Sequence, residues 1–63
     1  MKIRIINEGL TIDKVVTYKE FLIIVDNIFI KEALPKIEND LRLRNFSIVG
    51  GYIFEGVKDE EEN

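Results

Sequence analysis

A chain of 63 residues with a formal net charge of −3 contains no Cys, no His and no Trp, and Ser47 is its only serine. Those absences remove the usual nucleophiles, the near-neutral proton carrier and the soft metal ligands, so no catalytic residue, cofactor or metal is expected. A hydrophobic fraction of 46% with 33% charged residues suits a soluble globular domain rather than a disordered chain.

The chain order opens on Met1 to Ile5, where apolar and basic residues alternate with period two and predict a first strand. Asn7-Glu8-Gly9 supplies turn chemistry. Leu10, Ile12, Val16 and Tyr18 share one side of a second strand, so a hairpin is expected over residues 2–18. The stretch Tyr18 to Ala33 carries two patterns. As a helix it places Tyr18, Phe21, Leu22, Val25, Ile28, Phe29 and Ala33 on one stripe, with Thr17 and Glu20 as a capping box. As strands, Phe21 to Val25 is a buried run, Asp26-Asn27 a turn, and Ile28 to Lys31 the returning strand. The run of Ile and Val around a central Asp-Asn makes the strand pattern the preferred one.

Pro35, acidic residues in the early turns, Arg42 and Arg44 in the last turn, and Asn45 at the end mark a helix over 35–45. Phe46, Ile48, Tyr52 and Phe54 then alternate along one last strand, with a bulge or close backbone approach at Gly50-Gly51. The expected fold is α+β: an antiparallel sheet of four or five strands with one helix, 35–45, on one face. The alternative, if 18–33 is helical, is three strands and two helices. Residues 1–56 form the domain and 57–63 a frayed acidic tail.

The longest uninterrupted apolar stretch, Phe21 to Val25, falls far short of the roughly 20 residues that span a bilayer. The alternating N-terminus lacks the apolar core of a signal peptide, so a cytoplasmic location is expected. Gly50-Gly51 has no following Lys-Ser/Thr and fails as a phosphate loop. Asp13, Asp26 and Asp40 lack calcium-loop spacing.

Charge is unevenly placed. Residues 37–63 hold three basic and seven acidic side chains, and no Lys/Arg cluster points to direct nucleic-acid binding. The candidate partner surface is therefore acidic: Glu38, Asp40, Glu55, Asp59, Glu60, Glu61 and Glu62. The expected function is a small non-enzymatic binding protein, an inhibitor or adaptor. It would dock on the basic surface of a nucleic-acid-binding protein and exclude DNA by mimicry, an analogy in size and composition with small phage inhibitors. The alternative is an assembly subunit that joins a larger complex through its sheet edge. A domain this small, without disulfide or metal, gains most from oligomerisation, so a homodimer is expected, with Tyr52 and Phe54 at its interface.

Overall fold

Alternation governs the first hairpin as its sequence predicts. In the computed structural model, which describes residues 1–29 and 31–58, β1 (Lys2–Asn7) buries Ile3, Ile5 and Asn7 and turns the residues between them outward. A short 3-10 turn at Glu8–Leu10 leads to β2 (Ile12–Thr17). Asn7 Oδ1 accepts the Leu10 N–H at 3.2 Å, and Thr11 closes the turn in the left-handed region at φ 54°.

Tyr18–Ile28 is a helix, α1, which corrects the preferred strand reading of this stretch. Thr17 decides its start. The Glu20 N–H donates to Thr17 Oγ1 at 3.1 Å and the Thr17 N–H donates to Glu20 Oε1 at 3.0 Å, a complete capping box. Phe21 and Val25, one turn apart, are then buried together. Burial of that stripe outweighs the modest helix cost of β-branched Ile23 and Ile24, a fraction of a kcal/mol per residue. Asp26 and Asn27 fall in the last turn, where poor helix formers cost least.

The second helix, α2 (Ala33–Arg44), begins two residues before Pro35, which occupies the third helical position. Its missing N–H costs nothing there, because the first-turn amides have no helical partner. Asn45 ends the helix in the left-handed conformation at φ 68°, as its sequence position predicts. Its Nδ2 donates to Gly56 O at 3.0 Å, and its carbonyl accepts the Gly56 N–H at 3.0 Å.

The expected single last strand is two strands, β3 (Phe46–Val49) and β4 (Tyr52–Val57). Gly50 and Gly51 both take positive φ, 56° and 82°, and pair Val49 with Tyr52 as a two-residue hairpin turn. The four antiparallel strands fall within the expected four or five, and the fold is α+β as expected, but two helices rather than one pack on the sheet. β4 continues through Gly56 and on to Val57, the first residue of the expected tail, which pair with Ile3 and Lys2.

The sheet order is β2-β1-β4-β3, antiparallel throughout. Ile3, Ile5 and Phe54 from the sheet meet Phe21 and Val25 of α1 and Ile37 and Leu41 of α2 in one core. Phe54 sits among aromatic rings, 5.4 Å from Phe21, 5.9 Å from Tyr52 and 6.2 Å from Phe29 between centroids. Both helices thus lie on one face of the sheet. The opposite face has no covering layer among the described residues.

Candidate interaction surface

Strand register lays out the uncovered face in rows. Thr17, Lys2 and Val57 form the first, and Val15, Arg4, Glu55 and Phe46 the second. Asp13, Ile6, Ile53 and Ile48 form the third. More than half of these side chains are apolar, on a face that in an antiparallel sheet is ordinarily polar. Ile48 is 61% exposed, Val15 51% and Phe46 39%. Ile6 and Ile53 are half-buried and link them across the sheet. The Arg44 guanidinium stands 5.2 Å over the Phe46 ring and covers part of it.

The charges on this face are organised around Arg4. Its Nε and Nη2 donate to the two carboxylate oxygens of Asp13 at 2.9 and 2.8 Å, while Nη1 lies 3.9 Å from Glu55 Oε1. The hydrogen bonds from Arg4 hold the Asp13 carboxyl below its usual range, and the same pair raises Arg4.

The other expected acidic residues lie elsewhere and apart. On α2, Glu38 and Asp40 face different sides. Asp40 accepts from Ser47 Oγ at 2.9 Å and pairs with Lys36 at 3.2 Å and Arg44 at 3.3 Å. The Ser47 bond, then Lys36, holds its carboxyl below the usual range. Glu38 accepts the Tyr18 O–H at 2.6 Å in an open groove of about 740 Å³ lined by Met1, Tyr18, Pro35, Glu38, Leu41 and Arg42. Burial, and then the Glu38 bond, pushes the Tyr18 phenol up to about 12. Glu55 stands on the opposite layer, on the open sheet face. Glu38 and Asp40 are thus engaged in separate contacts on α2, with Tyr18 and with Ser47, Lys36 and Arg44, while Glu55 lies on the outer side of β4. Asp59, Glu60, Glu61 and Glu62 lie outside the described residues.

No protein-family model, curated protein or solved structure matches the chain. Its own geometry must carry the functional reading. Among the described residues no helix is long and apolar enough to cross a membrane, and no group of three His, Cys, Asp or Glu could hold a metal.

Phe54 corrects the expected dimer interface. It is 0% exposed at the centre of the core and presents nothing to a second molecule. Tyr52 is half-buried on the same inner side, its ring 5.6 Å from that of Phe29. The residues that do face outward, Phe46, Ile48 and Ile53, were obscured by one local feature. In a continuous strand Phe46, Ile48, Tyr52 and Phe54 share a side. A two-residue turn pairs Val49 with Tyr52 and reverses that parity, putting Phe46 and Ile48 beside Glu55 and Ile53 instead. The adjacent glycines were the signal that could have revealed this.

Proposed function

We propose that this chain is a small non-enzymatic binding protein of the cytoplasm, an adaptor or assembly subunit that docks through the open face of its sheet. One observation carries the reading: the face left without helices is more than half apolar, with Ile48, Ile53, Ile6 and Phe46 in a connected patch at the β3 side. Removing apolar surface from water is worth roughly 25 cal/mol per Å², and a connected apolar patch on a small domain commonly marks an interaction site.

The double substitution Ile48→Lys/Ile53→Lys tests it. Ile48 is exposed and Ile53 half-buried, so circular dichroism is read alongside to establish that the fold is kept. Complexes formed by the wild-type chain, read as sedimenting mass in native extract, should disappear. Equal complexes from both chains would remove the reading.

Docking on the basic surface of a nucleic-acid-binding protein, as an inhibitor of viral type that imitates DNA, is the second reading. The net charge of −3 and the acidic run Asp59 to Glu62 favour it. The pairing of Asp13, Asp40 and Glu55 with the chain's own cations weakens it. Truncation after Lys58 separates the two. A mimic loses its partner and its salt sensitivity, whereas a face-docking protein keeps its complex.

A further inference from the structure

The open face is complementary to itself, and we propose that its occupant is a second copy of this chain, stacked face to face about a twofold axis parallel to the strands between β1 and β4. This inference rests on the docking reading above and names the occupant.

Lys2, Arg4 and Ile6 of β1 lie directly beside Val57, Glu55 and Ile53 of β4. A half-turn about an axis between those strands lays β1 of one copy over β4 of the other and β2 over β3. Arg4 then meets Glu55 of the second copy, Ile6 meets Ile53, and Val15 meets Phe46, each contact occurring twice, as twofold symmetry requires. The charges on the face are Lys2, Arg4, Asp13 and Glu55, two of each sign, so two copies approach without net repulsion. Arg4, already bidentate to Asp13, has its Nη1 3.9 Å from its own Glu55, beyond hydrogen-bond length, so Glu55 gains a closer cation across the axis.

Stacked sheets rotate by about 30° relative to one another. Pairs nearest the axis, Arg4 with Glu55 and Ile6 with Ile53, move least under that rotation. The half-turn also brings Asp13 near Ile48, at the rim, where Asp13 is already neutralised by Arg4. Three strands of six residues and one of four, spaced about 4.8 Å apart, present roughly 350 Å² of projected area per copy, the size of a weak association rather than of a standard interface. The association should therefore vary with concentration across the micromolar range. The helices remain outside, giving a four-layer molecule.

Sedimentation equilibrium of single and mixed variants tests the arrangement. The wild type should approach twice the 7.4 kDa chain mass. Arg4→Glu alone and Glu55→Arg alone should each sediment as monomers, one with an acidic face centre and the other with a basic one. Mixed in equal amounts they should regain the doubled mass, because each face then meets its opposite. If both variants keep the wild-type circular dichroism and the mixture stays monomeric, the arrangement is wrong. Should Arg4→Glu unfold through loss of its Asp13 bridge, Ile53→Lys replaces it as the test. A monomer then supports the proposal and a dimer overturns it. A wild type that is monomeric at millimolar concentration overturns self-association, yet leaves face docking standing if Ile48→Lys/Ile53→Lys still loses a different protein. Complexes that survive every one of these variants overturn both.

Discussion

Ser47, the chain's only serine, is fully buried and donates to Asp40, so one hydroxyl joins β3 to α2. Asp40 is held below its usual range and binds its proton more weakly folded than unfolded. The stability it contributes is present above the ordinary carboxylate range and is lost as pH falls through the folded value. Ser47→Ala should destabilise the protein at neutral pH, and urea melts should show the gap from wild type narrowing on acidification. Tyr18 has the opposite sign. Its phenol is raised from 10.0 to about 12, so its contribution is complete below pH 10 and disappears as pH rises through the folded value. Tyr18→Phe should remove the tyrosinate absorbance that appears near pH 12, and a melt should show a loss of about 1 kcal/mol for the missing hydrogen bond. Thr11, a β-branched residue at φ 54°, is strained. Thr11→Gly should raise stability by about 0.5–1 kcal/mol in the same assay.

The elements show where local pattern decides structure and where it does not. The hairpin β1–β2 and the end of α2 at Asn45 were legible, because alternation and a left-handed cap act within a few residues. Helix α1 was not. Between positions 23 and 28 its composition favours strand, and the outcome rests on Thr17 and Glu20 at the start and on burial of Phe21 and Val25 against a sheet completed much later in the chain. Ile23, 58% exposed, is the residue that misled. Since the cap tips this balance, Thr17→Ala should cost about 1 kcal/mol and lower helical circular dichroism on mild heating. At the β3–β4 turn, any side chain at Gly50 would need the left-handed conformation, and a Cβ there would lie 2.9 Å from Phe29 Cε1. Gly50→Val should disturb the Phe29 ring and widen the hairpin amide signals in NMR.

For the whole molecule, inner and outer faces of one sheet divide the labour. Phe54→Ala should cost about 3–5 kcal/mol, enough to unfold a domain of this size, whereas Ile48→Lys should barely change the melt. Equal hydrophobicity therefore has unequal consequences, set by strand parity alone. The candidate site was hidden from sequence for the same reason. Carboxylates are easy to count, but the cations that bind them, Arg4 for Asp13 and Lys36 and Arg44 for Asp40, become neighbours only through strand pairing and helical spacing.

Strand β1 lies between β2, its neighbour in sequence, and β4, which closes the sheet by setting Val57 beside Lys2. Each hairpin and helix can form from nearby residues. The β1–β4 ladder alone must close a loop of nearly the whole described chain, and that entropy has to be met before any of its contacts form. Stopped-flow refolding should therefore be limited by this ladder, with substitutions at Ile6 or Ile53 slowing folding. A chain halted before β4 would leave one edge of β1 bare, and such intermediates should precipitate rather than wait.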